Sequence, residues 1–89
     1  MKVSYQPAFI RDLRQLRGRP EYERIYRLVF EAMPRWAGLA GQAQVKCLSG
    51  RDHAYRVRVR DYRIGFYWRG EVLIVSRVLH RREIYRYFP

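Results

Sequence analysis

The stretch Tyr55–Arg63 reads Y-R-V-R-V-R-D-Y-R and constrains the fold more than any other part of the chain. A β-strand sends successive side chains to opposite faces. Val57 and Val59 therefore share one face, which can join a core, and Arg56, Arg58 and Arg60 share the other. Each residue of a strand rises roughly 3.3 Å, so alternate guanidiniums stand about 7 Å apart. That spacing approximates successive phosphates in a single nucleic-acid strand. A guanidinium fork also meets phosphate oxygens in a bidentate way that an ammonium does not. The plainer reading is the solvated outer face of an antiparallel sheet. Such a face would ordinarily carry Glu or Asp among the cations, yet the row is arginine throughout, and Arg63 follows just past a tight turn.

The rest of the chain is charged in the same sense. Nineteen Lys and Arg stand against 8 Asp and Glu, a formal net charge of +11, and the only lysines are Lys2 and Lys46. The arginine bias favours directional anion recognition, although a GC-rich genome would produce the same bias. The charge predicts a polyanionic partner: nucleic acid, an acidic protein or an anionic membrane. Large apolar residues are frequent enough to exclude disorder by composition, and the 89 residues suit one small domain, 1–89, with a thin core. No apolar run reaches the ~18 residues of a membrane span. The N-terminus lacks a signal-type apolar stretch, so cytoplasmic residence is expected and no membrane partner. Cys47 is alone, which excludes an internal disulfide and a Cys-based metal cluster. It is expected to pack as a small apolar residue on a short strand.

Val3 and Tyr5 alternate with polar neighbours, suggesting a short first strand. Pro7 suits the first turn of a helix, and Phe9, Ile10, Leu13 and Leu16 follow helical spacing. Gly18 and Pro20 break that pattern. From Glu21, the residues Tyr22, Ile25, Tyr26, Val29 and Met33 recur at three and four, predicting a second helix that Pro34 ends. Val45 to Leu48 reads as a short edge strand, Tyr55 to Arg60 as the basic strand and Tyr62 to Trp68 as another alternating strand. Arg69-Gly70 fits a hairpin turn. Val72 to Leu79 is nearly all apolar, as in a central strand, and His80 to Tyr87 fits a short helical turn. The order β-α-α-β-β-β, with its strands clustered late, predicts an α+β fold. Its antiparallel sheet carries a helical hairpin on one face and leaves the basic row on the other.

Arg56, Arg58, Arg60, Arg63, Tyr67, His80, Arg81 and Tyr85 would converge if the late strands are neighbours. Cations suit a phosphate backbone, and flat rings suit splayed bases. A positively charged sheet that merely binds an acidic protein would use the same residues. Metal-free chemistry is open to such a set. RNA can be cut by its own 2′-OH, given a base, positive charge on the developing phosphorane and an acid for the 5′ oxygen. His80 is the residue whose ordinary pKa suits proton transfer, and Tyr85 is a weaker candidate. His80 could equally be a strand-end residue making one hydrogen bond. His53, beside Asp52 in a loop, fits an exposed, uninvolved residue. Neither histidine has Cys or acidic companions at metal-ligand spacing, so no metal or cofactor is expected.

The string L-S-G-R-D-H-A-Y-R-V-R-V-R-D-Y-R-I, followed after a hairpin by V-L-I-V-S-R-V-L-H-R-R-E-I-Y-R, resembles the RelE/ParE toxin superfamily of type II toxin–antitoxin systems. It is most similar to the RelE branch. The resemblance implies a ribosome-dependent mRNA endonuclease that acts in the ribosomal A site, leaves a 2′,3′-cyclic phosphate and a 5′-OH, and is neutralised by a cognate antitoxin. It implies that Arg56 and Arg58 lie on the active strand and that Arg63 grips the scissile phosphate. Arg81 would stabilise the phosphorane or protonate the leaving group, and Tyr85 would stack on a base or assist proton transfer. With His80 these form the expected catalytic set. Lys46, Arg60, Tyr67, Arg77, Arg82 and Arg86 form the expected RNA-binding set. Leu79 and Arg60 depart from the pattern, standing where many relatives carry glycine. The rival readings are a ParE-like inhibitor of DNA gyrase and a non-toxic relative that only binds its antitoxin or RNA.

Overall fold

The alternation around Val57 and Val59 forms a strand in the computed structural model, which describes all residues from Met1 to Pro89. The strands are β1 (Lys2–Tyr5), β2 (Val45–Ser49), β3 (Ala54–Val59), β4 (Tyr62–Arg69) and β5 (Val72–His80), and they form one sheet in the order β1-β5-β4-β3-β2. The helices are α1 (Pro7–Gln15), α2 (Tyr22–Arg27) and α3 (Ile84–Tyr87). Past Arg27, α2 widens into a π-helical turn over Leu28–Ala32 and then tightens into a 3-10 turn over Met33–Arg35. The α+β class, the helical hairpin and the late clustering of strands are as expected from the sequence.

One face of the sheet carries the main core. Phe9, Leu13 and Leu16 of the first helical segment, and Ile25, Val29 and Met33 of the second, pack on Val57, Val59, Tyr62, Ile64, Phe66, Leu73, Val75 and Val78. The helical residues are those the three-and-four spacing selected. The strand residues are one set of each alternation, because only one face meets the helices.

Several local expectations are corrected. The sheet is mixed, because β1 pairs in parallel with the first half of β5, from Lys2↔Val72 to Tyr5↔Val75. The intervening helices and hairpins supply the crossover that a parallel pair needs. The edge strand expected at Val45 is present as β2, so the sheet has five strands where the order β-α-α-β-β-β counts four. Arg60 is not on β3. It lies in the two-residue turn to β4 with φ +53, a left-handed conformation in which its Cβ is crowded. The next hairpin turns at Gly70-Glu71, with Gly70 at φ +61 and Arg69 paired to Val72. Cys47 is exposed on β2 rather than packed. His80 ends β5, and the helical turn starts only at Ile84. No helix is long and apolar enough to cross a membrane.

Two polar contacts bind the layers. Beyond Val75, β5 has no strand partner on the β1 side, and α1 fills that place. Asp12 Oδ2 accepts the Val78 backbone N–H at 3.1 Å, and the Asp12 carboxylate takes Arg77 in a bidentate grip at 2.7 and 3.1 Å. The Tyr5 hydroxyl donates to the Val29 carbonyl in the π-helical turn. Burial holds the Tyr5 proton above the ordinary value of 10.0. The unfolded chain therefore ionises first. The Tyr5 contribution is intact below pH 10 and is lost as pH rises through the higher folded-state value. Tyr5→Phe is expected to cost about 1 kcal/mol near neutral pH. The gap from wild type should narrow in strong alkali, which urea unfolding at neutral and at alkaline pH will read.

Candidate nucleic-acid interface

The strand registers set the open face of the sheet. Lys46 pairs with Arg56 across β2 and β3, while Arg58 pairs with Arg63 and Arg56 with Gly65 across β3 and β4. Directly opposed residues share a face, so Lys46, Arg56, Arg58 and Arg63 form one contiguous cluster away from the helical hairpin. The ion pairs of the molecule are Arg27–Glu23, Arg77–Asp12 and Arg81–Asp61, and none of them involves these four cations. Neutral acceptors orient the cluster instead. Gln44 takes Arg56 on its carbonyl at 2.6 Å and Arg58 on its side-chain oxygen at 3.0 Å. Arg63 Nη1 donates to the carbonyls of Arg60 and Tyr62 at 2.8 and 3.0 Å. Arg56 Nε is buried without a partner. Like charges packed without counter-charge raise one another's energy, and a bound anion relieves it. Arg63 registers this strain: burial first, then the charge of Arg56, lowers its pKa, while Tyr85 acts on it in the opposite sense. Tyr85, on α3, is close enough to act on the Arg63 proton, and 56% of its surface is exposed.

Next to the cluster lies a cleft of about 710 Å³. Its rim carries Arg58, Arg60, Arg63 and Arg81, and Leu28 and Trp36 line its apolar side. Arg81 is tied to the β3–β4 turn by its backbone N–H, which donates to the Asp61 carbonyl at 2.7 Å, and by a looser side-chain pair at 3.8 Å. That tie brings the end of β5 to the cation row, although the two lie 20 residues apart in sequence.

The structure thus brings together Lys46, Arg56, Arg58, Arg60, Arg63, Arg81 and Tyr85, while five other expected residues are engaged elsewhere or stand outside that set. His80 sits opposite Tyr62, a core residue, and so faces the helix side rather than the cation row. Its ring meets Tyr62 edge-on at 5.7 Å, and its Nδ1 accepts the Arg82 backbone N–H at 3.2 Å. This is the strand-end, hydrogen-bonded role. Arg77 is committed to Asp12. Tyr67 packs on Phe88, under the Arg69 guanidinium, at the far end of β4. Arg82 and Arg86 are exposed on the turn before α3 and on α3 itself. Sequence reasoning missed Gln44, which orients two of the arginines, and the pairing of Gly65 with Phe88. A glycine inside a strand is a signal of close approach, and Gly65 carried that signal unread.

A scan against protein-family models finds none that matches. The chain is 36% identical over 90 residues to Toxin RelE3 of Methanocaldococcus jannaschii, covering all of both proteins. The chain belongs to the RelE toxin family. It is a toxin of a toxin–antitoxin system. The crystal structure of a RelB–RelE antitoxin–toxin complex from Methanococcus jannaschii contains a chain of the same fold. The TM-score is 0.75 at 32% identity, over 97% of this chain and 99% of that one. YafQ from E. coli shares the fold at TM-score 0.73 and 13% identity, over 94% of this chain and 97% of that one. Arg60 itself occupies a positive-φ site, the conformation in which a glycine would carry no steric cost.

Proposed function

We propose that this RelE-family protein is a ribosome-dependent mRNA endonuclease that inhibits translation and is held inactive by a cognate antitoxin. The observation that carries the reading is the cluster of Lys46, Arg56, Arg58 and Arg63 without counter-charge, with Tyr85 beside Arg63. An mRNA backbone laid across it places a phosphate against Arg63 and Arg56. The 2′-oxygen attacks that phosphorus and loses its proton, and the 5′-oxygen leaves and gains one. The products are a 2′,3′-cyclic phosphate and a 5′-OH. Preorganised guanidiniums stabilise the charge that develops on the phosphorane. Arg81, on the cleft rim, would be available to the leaving 5′-oxygen. With His80 turned to the helix face, proton transfer falls to Tyr85 or to groups of the ribosome. An A-site mRNA supplies an ordered, single-stranded substrate whose bases can stack on the exposed ring. Solved relatives in complex with antitoxins support an antitoxin as the partner of this chain.

Primer extension on a reporter mRNA, with and without programmed ribosomes, tests the reading. Stops within A-site codons that require ribosomes are the expected result. Intact mRNA from a protein that still arrests growth would overturn it and point to gyrase. Tyr85→Phe keeps the ring and removes the hydroxyl. It is expected to slow single-turnover cleavage by about 10²-fold if the hydroxyl transfers the proton, with little change in ribosome binding.

A further inference from the structure

The short helix α3 lies on the sheet face that the helical hairpin leaves open, and two contacts hold it. Ile84 and Phe88 point inward one turn apart and form, with Ala54, a small buried cluster bordered by Leu48, Tyr67 and Leu79 and separate from the main core. The Phe88 ring lies directly on Gly65. A Cβ at that position would stand 2.5 Å from Phe88 Cγ and 2.8 Å from Cε2, so the seat exists only because residue 65 has no side chain. The second contact is Tyr87, whose ring receives the Arg77 guanidinium at 5.1 Å while Asp12 of α1 fixes that guanidinium from the other side.

Gly65 is no remote position. It is paired with Arg56 on β3 and stands two residues from Arg63 on β4, so Phe88 is seated inside the margin of the cation cluster. Ile84 and Phe88 face the sheet, and Tyr85, about 100° further round the helix than Ile84, is turned outward beside Arg63. Phe88 is 1% exposed, whereas Tyr85 is largely solvent-facing. An exposed ring has few contacts of its own to hold it, and its direction is inherited from the inward residues of the same turn.

We infer that Phe88, seated on Gly65, is a positioning residue that fixes Tyr85 against Arg63. This rests on the reading that Tyr85 and Arg63 act together on RNA. Misplacement of a reacting group by an ångström costs on the order of 10²-fold in rate, so loosening α3 lowers the rate of the bound state more than it weakens binding.

The test uses the full chain and two readouts. In the first, single-turnover cleavage is followed on programmed ribosomes. Phe88→Ala is expected to lower the saturating rate by about 10–100-fold while moving the half-saturating ribosome concentration by less than about threefold. Phe88→Leu should recover most of the rate. Gly65→Ala, which fills the seat, should behave as Phe88→Ala does, and the double variant should be no worse than either. In the second, the Arg63 Nε–Hε NMR signal is located by Tyr85→Ala, and Phe88→Ala should shift it the same way while sheet amides stay protected. An unmoved Arg63 signal, or an unchanged saturating rate in Phe88→Ala, overturns the inference. A wild-type protein that cuts no mRNA on ribosomes overturns the functional reading instead, and the Arg63 signal then still decides where Phe88 places Tyr85.

Discussion

Arg63→Ala is expected to reduce ribosome-dependent mRNA cleavage by on the order of 10²–10³-fold, the cost of deleting one preorganised donor to a developing oxyanion, and to abolish growth arrest. Arg63 is the most closely held cation of the row. Its Nη1 is aimed by the carbonyls of Arg60 and Tyr62, its charge is crowded by Arg56 and Arg58, and Tyr85 stands beside it. None of these contacts holds the core together, so the variant should fold. Thermal melting within a few degrees of wild type, alongside the lost primer-extension stops, is the expected pair of results. Arg63→Lys should recover only part of the activity, because an ammonium supplies charge without the planar fork. An Arg63→Ala protein that still cuts A-site codons at the wild-type rate would remove Arg63 from the mechanism.

The largest effect on stability is expected from Asp12→Ala. The Asp12 side chain is 12% exposed and that of Arg77 26%, so the pair is largely withdrawn from water. Removing the carboxylate strands a partly buried guanidinium and leaves the Val78 N–H, on the unpaired half of the β5 edge, without its acceptor. Breaking such a pair from one side costs about 3–5 kcal/mol, and partial exposure places this one near 3. For a domain of this size that corresponds to a fall in melting temperature of more than about 10 °C. Asp12→Ala combined with Arg77→Met should be less destabilised than Asp12→Ala alone, because no charge is then left unpaired. Denaturant unfolding of the three proteins measures the coupling. Additive losses would mean that the two side chains act independently.

Arg77 illustrates how a sequence misleads about a site. By position it lies on a strand next to the basic hairpin, and an arginine there reads as one more RNA contact. The register sets it opposite Gly65, in the same cross-strand row as Arg56, but β1 leaves this stretch of β5 unpaired, and Asp12 of α1 takes its guanidinium there. For His80 the strand register is decisive. Its neighbours Arg81 and Arg82 suggested a catalytic cluster, but the register that pairs it with Tyr62 turns the ring to the helix side. Arg56 and Arg58 were legible because period-two alternation decides which residues share a face of a strand, and Arg63 because the tight turn pairs it with Arg58. Tyr85 beside Arg63 was legible only on the condition that the late strands are neighbours, which the sheet order satisfies.

The sequence by itself determined the α+β class, the helical hairpin, the strand alternation and the arginine row, because each follows from short-range periodicity and from the difference between apolar and charged side chains. Only the tertiary structure decided which cations are free and which are spent on the fold, because that depends on partners distant in the chain: Asp12 takes Arg77, whereas neutral Gln44 only orients Arg56 and Arg58. It also decided that β1 runs parallel to β5, since strand direction is set by how the crossover packs and not by any local pattern.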